Sequence, residues 1–369
     1  MELRFFPSRT LALYLGKTFL WRSLAVLAAL VVILQTLDLL GESGDVLAAP
    51  GNGQAALWHY VALRLPQIVQ RFLPFSVLLG TLITFVTLNQ NSEVIAMKAG
   101  GISAHQILAP LVLVSLGLAG LSFAFNERIV TRATATLTAW QDVDYNPLPA
   151  ARHGSTDAWV RDGDDIIHAA TATTDRGRVS LGRVTLYDRD GGTLKRIVVA
   201  PTAREHWEAG RFAGWTAPAA RMFNVASGGV TSVARFDFGA GVRPDQFTLA
   251  DVSADDRSLG VLGGQIDELR AAGRPVGPLE TGWWHKLSGP LSAILMPLLA
   301  GVAAFGLARS GALFLRAVIG MALGFAYFVA DNFAVAMGNL GAYAPLLAAW
   351  APFLLFLVIG ETVLIRTEE

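Results

Sequence analysis

Residues Arg183–Ala200 read RVTLYDRDGGTLKRIVVA. Apolar and polar side chains alternate on the way in. Asp190-Gly191-Gly192 then supplies a tight turn, and Leu194, Ile197 and Val199 mark the return. A period of two broken by Asp-Gly predicts a β-hairpin. Upstream, AWVRDGDDIIHAA (158–170) repeats the theme with Asp162-Gly163 at the turn. Downstream, RMFNVASGGVTSVARFDFGA (221–240) gives further short strands around Gly228-Gly229. Helical spacing first returns in GVLGGQIDELRAAG (260–273), a short helix leading out of the region. Residues 127–280 are therefore expected to form an antiparallel all-β domain, a sandwich or jelly roll.

Both flanks of this domain are oily. The chain of 369 residues is 53% hydrophobic and only 16% charged, with mean hydropathy +0.46. A soluble domain carries about a quarter charged residues. A membrane span needs about twenty apolar residues. Three such runs precede the β region: TFLWRS with LAVLAALVVILQTLDLL (18–40), FLPFSVLLGTLITFVTL (72–88) and ILAPLVLVSLGLAGLSFAF (107–125). Three follow it: LSAILMPLLAGVAAFGLA (291–308), AVIGMALGFAYFVADNFAVAM (317–337) and APLLAAWAPFLLFLVIGETVLI (344–365). The expected fold is a six-helix membrane bundle, residues 1–126 and 281–369, with an inserted β domain. The first run is too long for a signal peptide and lacks its small-residue cleavage pattern.

Positive residues orient the spans. Arg4, Arg9, Lys17 and Arg22 lie at the amino end, Lys98 between spans two and three, Arg309 and Arg316 between four and five, and Arg366 in the tail. Gly41–Trp58 reads as a loop with Glu42 and Asp45 but no Lys or Arg. Both ends of the chain are expected in the cytoplasm and the β domain outside.

Several chemistries are absent from the sequence. There is no cysteine, hence no disulfide, thiolate nucleophile or Cys metal site. His153, His168 and His206 lack metal-ligand spacing. Gly16-Lys17-Thr18 resembles a P-loop ending, but Leu11 stands where that loop needs glycine, so Lys17 reads as a headgroup anchor. No nucleophile elbow or HExxH pair occurs. Zero net charge gives no sign of a nucleic-acid partner. The remaining classes are a lipid-handling permease, a membrane-tethered interaction scaffold and a lipid-headgroup enzyme, the last without a visible acid–base pair or nucleophile.

Charges near membrane depth are costly and mark candidate sites. Asp38 ends the first span; Arg64 and Arg71 precede the second; Arg128 and Arg132 follow the third; Lys286 opens the fourth behind Trp283 and Trp284. Arg71 stands seventeen residues before Leu88, roughly 25 Å along a helix, which sets it at the far membrane surface. Taken singly these residues snorkel to the interface; together they could hold an anionic lipid headgroup. Asp331, the most deeply placed acid, is expected to pair with a base on a neighbouring helix or to join Asn332 in a polar network. Glu361 falls at the inner interface. Pro66, Pro74, Pro290 and Pro297, with the glycines of GMALGFAYF and LLAGVAAFG, fit helices in close contact.

One polar stretch remains, LNQNSEVIAMKAGGIS (88–103). Asn91 or Ser92 can cap a helix there, Glu93 suits its first turn, and Gly100-Gly101 stop it. Such a helix, about 91–100, lies on the inner headgroups or docks on a partner.

This architecture resembles the LptF/LptG (YjgP/YjgQ) permease family of lipopolysaccharide export. YLGKTFL, ILQTLDLL, LPQIVQRFLPFSVLLGTL, NSEVIAMKAGGIS, WWHKLSGPLS and FAYFVADN carry the likeness along the whole chain, and look like LptG rather than LptF. The resemblance implies a non-catalytic subunit in the bacterial inner membrane. It would pair with an LptF-like permease and be driven by an LptB-like ATPase dimer using ATP and Mg; the chain itself would hold no cofactor. LptC-like and LptA-like jellyroll proteins would receive the lipopolysaccharide for outer-membrane assembly. The stretch at 88–103 would be a coupling helix seated on the ATPase through Ser92, Glu93, Val94, Ile95 and Met97. Family members bear lysines where this chain has Gln35, Gly41, Glu42 and Gln67, whereas Asp38 and Lys286 match. An LptF-type role in the same complex stays open.

Overall fold

A computed structural model describes residues 7–147, 153–175, 178–208, 211–244, 247, 253–271, 275–305 and 313–368. Arg309 lies outside these residues, as do the side chains of His153 and Arg316. The chain divides into two compact units, Met1–Asn146 with Ser253–Glu369, and Pro147–Val252.

The first unit is helical. α1 spans Arg9–Ala48, α2 Gln54–Gln90, α3 Glu93–Ala99 and α4 Ala104–Phe125; a π-helical turn, Asn126–Val130, joins α4 to α5, Thr131–Gln141. After the β unit come α6 (Leu259–Ala271), α7 (Gly277–Phe305), α8 (Leu313–Asn339) and α9 (Pro345–Glu368). Among the described residues, six helices are long and apolar enough to cross a membrane. The first three outrun it. The 40 residues of α1 measure about 60 Å, twice a hydrocarbon core of about 30 Å.

That length corrects one expectation: residues 41–58 are not a loop. α1 continues through Gly41 and Gly44 to Ala48, and only 49–53 turn. The cause is a small separate core in which Val46, Tyr60, Leu137, Trp140 and Tyr145 are buried together. The Tyr145 hydroxyl donates to the Glu42 carboxylate at 2.6 Å. Burial, reinforced by that bond, pushes the phenol up to about 12. The third helical column likewise runs past residue 127 to Gln141, so the compact β unit starts later and ends earlier than the sequence reading.

Lipid tails are as apolar as leucine, so close packing rather than water exclusion holds helices together in a membrane. The main core joins α1, α2, α3, α4, α7, α8 and α9 through Leu15, Phe19, Leu78, Phe85, Leu111, Leu299, Tyr327 and Phe353. α1 and α2 meet at backbone distance: a Cβ on Gly80 would lie 2.7 Å from Ser23 Cα. At Gly324 on α8, a Cβ would meet Leu78 Cδ2 at 2.2 Å.

The second unit is one antiparallel sheet. β1 (His153–Asp162), β2 (Asp165–Asp175), β3 (Arg178–Asp190) and β4 (Thr193–Glu208) run as a meander. The hairpin expected at Asp190-Gly191-Gly192 is formed, with Asp190 opposite Thr193. β4 is long enough for two partners on one edge. β6 (Ala220–Asn224) pairs with its first half and β5 (Arg211–Ala217) with its second. β7 (Val230–Val233) and β8 (Phe236–Phe238) complete the sheet. Its core centres on Trp215, fully buried against Phe247 and donating from its indole to the Val242 carbonyl at 2.8 Å.

Gly80→Ala should lower the thermal unfolding midpoint of the detergent-solubilised chain, at a cost of about 1–3 kcal/mol for overpacking. Gly117→Ala, whose Cβ meets nothing within 4 Å, should leave it unchanged.

Candidate functional site

α3 has seven residues, too few to be stable alone in water. Two features fix it. Gly101, at φ +80°, accepts the left-handed turn that ends it, and the Ile102 N–H returns to the Met97 carbonyl at 3.1 Å. Val94 and Met97 then insert into the main core, 5% and 8% exposed. The start differs from expectation. Ser92 adopts a left-handed conformation and makes no side-chain cap, and the Asn91 amide donates to the Glu93 carboxylate. Glu93 also accepts from the Tyr14 hydroxyl of α1 at 3.1 Å. The Lys98 ammonium lies 5.0 Å over the Phe305 ring of α7.

The five expected coupling residues therefore divide. Val94 and Met97 point into the protein's own bundle, Glu93 is bonded to α1, and Ser92 and Ile95 are exposed, Ile95 at 66%. Residues three apart on a helix share a face, so 94 and 97 go inward together and leave Ile95 outward.

The second candidate set also divides. Asp38 and Arg64 neutralise each other: the Arg64 guanidinium donates to Asp38 Oδ1 at 2.8 and 3.0 Å. The Tyr60 hydroxyl donates to Asp38 Oδ2 at 2.6 Å, and Arg64 donates onward to Gln67 at 2.7 Å. Tyr60, Arg64 and Gln67 sit at helical spacing on α2, a signal available in the sequence; their partner on α1 was not. Lys286 is 7% exposed, with Glu127, Asp255 and Asp256 as the acidic groups around it. Glu127 accepts from the Leu259 N–H at 2.8 Å, capping α6. Burial holds the Asp256 carboxyl above its ordinary range, against the opposing charge of Arg257 beside it. Arg71, Arg128 and Arg132 are exposed and make no ion pair among the described residues. What separates them from Lys286, which also lacks a direct ion pair among the described residues, is exposure: Lys286 is buried and they are not.

Asp331 on α8 pairs with His285 on α7 at 3.0 Å. Asn332 does not join it; its amide donates to the Phe328 carbonyl of its own helix. Glu361 meets His105 at 3.4 Å. Among the described residues no group of His and acidic side chains could hold a metal.

The family model described as "Lipopolysaccharide export system permease LptF/LptG" matches residues 13–366. A protein of Escherichia coli (strain K12), "Lipopolysaccharide export system permease protein LptG", is 24% identical over 98% of this chain and 99% of its own length. A protein of the same name from Haemophilus influenzae is 23% identical over the same shares.

Two contrasts test the geometry by thermal unfolding. Met97→Ala should cost about 2–5 kcal/mol as a core truncation, whereas Ile95→Ala should stay within about 0.5 kcal/mol. Asp38→Ala, which strips Arg64 of its counter-charge, should cost about 1–3 kcal/mol; Arg71→Ala should cost nothing measurable.

Proposed function

We propose, from the premise that the chain belongs to the LptF/LptG family and is a multi-pass permease subunit of lipopolysaccharide export, that α3 is its mechanical input and the free arginines its lipid contact. The carrying observation is the two-sidedness of α3. Its inner face is rooted in a core shared by α1, α2, α4 and α7, and its outer face leaves Ile95 exposed. Movement imposed on that face is delivered to several spans at once.

The partner is an LptB-like ATPase dimer, which supplies the ATP and Mg chemistry this chain lacks. α3 and both chain ends face the cytoplasm in this reading. The β unit lies in the periplasm, where LptC-like and LptA-like jellyroll proteins continue the path. An LptF-like permease covers the apolar side chains that α1 exposes, among them Trp21, Val32 and Leu40.

Lipopolysaccharide presents phosphates to Arg71, Arg128 and Arg132, whose guanidiniums suit forked contacts with phosphate oxygens. Arg64 and Lys286 serve differently. The charge of Arg64 is met by Asp38, and Lys286 is buried with Glu127, Asp255 and Asp256 around it, so they order the helix ends around the lipid.

Two variants test the two halves separately in the complex reconstituted with its ATPase. Ile95→Asp should abolish ATPase association while leaving bound lipopolysaccharide on the permease unchanged. Arg71→Glu with Arg132→Glu should leave ATPase association intact and reduce photo-crosslinking of lipopolysaccharide by about tenfold or more, the loss expected of two charged contacts. Unchanged lipid crosslinking in the arginine variant, or unchanged ATPase association in Ile95→Asp, removes the corresponding half.

A further inference from the structure

Three adjoining strands of the β unit break their alternation together. Ala169 and Ala172 on β2, Leu181 and Val184 on β3, and Ala200 and Ala203 on β4 all lie buried in one core. The members of each pair are three residues apart, a spacing that faces opposite sides in a regular strand. The buried rows are in register, Ala169–Val184–Ala200 and Ala172–Leu181–Ala203. The irregularity is thus a crease crossing three strands. At its middle Arg183 has φ +47°, a left-handed conformation that costs a residue bearing a Cβ about 1–3 kcal/mol.

On the face turned by Thr185 and Val199, the crease opens a trough of about 820 Å³. That is the size of a small-ligand site, about 300–1,000 Å³. Its lining is mainly apolar, with Ala170, Val199, Pro201 and Val233, though Thr185 and Ser232 also contribute; Arg183 and Arg221 line it as well and are exposed. Neither guanidinium has an ion pair among the described residues, although Arg161, Arg196 and Arg235 of the same unit each hold an aspartate. Beside it, Trp159 stacks on His168 with ring centroids 4.3 Å apart. Trp159 nevertheless stays half exposed and widens the apolar surface.

We propose that this trough binds a long-chain fatty carboxylate, its chain along the apolar lining and its head between Arg183 and Arg221. Two exposed guanidiniums without an ion pair are available to an anion, and a carboxylate accepts their forked N–H groups. A mainly apolar lining calls for a chain without hydrogen-bonding groups. A peptide strand would add at a free sheet edge; the strands that carry Ala170, Arg183 and Val199 have neighbours on both sides, and the free edge, β7, borders the trough only through Ser232 and Val233. The site lies wholly within the β unit and is independent of the arginines on the membrane helices, so it stands or falls apart from the lipopolysaccharide reading.

The test is photolabelling of the full chain in phosphatidylcholine nanodiscs with a diazirine-bearing palmitate, mapped by peptide mass spectrometry. Label is expected on peptides containing Ala170, Val199 and Ala219. Arg183→Asn with Arg221→Gln should reduce it about tenfold, asparagine being chosen because it tolerates the left-handed backbone. Arg221→Gln alone, at an unstrained position, should reduce it in the same direction. Val199→Asp should remove it, and the diazirine-bearing alcohol of the same chain length should label these peptides weakly. Labelling confined to the membrane spans, equal labelling by acid and alcohol, or label on the β peptides indifferent to Arg221→Gln and Val199→Asp would each overturn the proposal.

Discussion

A seven-residue helix cannot sustain itself in water, and α3 exists because Val94 and Met97 are inserted in the core of the bundle. The rest follows from that insertion. It fixes which way the helix faces, and so leaves Ile95 outside. It ties the polar stretch after α2 to side chains from several spans, so the stretch cannot move alone. Tyr14 holding Glu93, and Lys98 over Phe305, add ties to α1 and α7. A slack loop would absorb a push from outside; a helix rooted in this way has no such slack.

The other end of the bundle is governed by charge that is already spent. Asp38, Tyr60, Arg64 and Gln67 form one chain of hydrogen bonds between α1 and α2. Lys286 sits among three acids near the cap of α6. A permease that handles an anionic lipid needs cations not consumed by its own structure; Arg64 is held by Asp38, whereas Arg71, Arg128 and Arg132 are exposed and without an ion pair among the described residues. The small core around Trp140 and Tyr145 extends α1, α2 and α5 beyond membrane thickness.

Much of this was legible in the sequence. Spans of twenty apolar residues and an Asp-Gly-Gly hairpin are local signals, and both gave elements where expected. The end of α1 was misread because Glu42 and Asp45 look like loop residues; Tyr145, about a hundred positions away, makes Glu42 a helix contact. The apolar face of α3 was visible, but spacing alone does not say whether Val94 and Met97 face a partner or their own core. The partners of Asp38 and Asp331 were hidden for a similar reason. Arg64 and His285 belong to other helices, and nothing local couples them. The crease in the sheet was invisible because alternating hydrophobicity predicts strands without predicting where three of them slip phase together.

The central claim is that α3 is the contact through which an ATPase drives these helices. A photoreactive amino acid placed at position 95 in the chain, crosslinked in intact cells, tests it most directly. The account predicts a covalent adduct with a nucleotide-binding ATPase subunit, and none when the same probe replaces buried Met97. Adducts at position 95 with membrane lipid alone would mean that α3 rests on the headgroups, and would contradict the account.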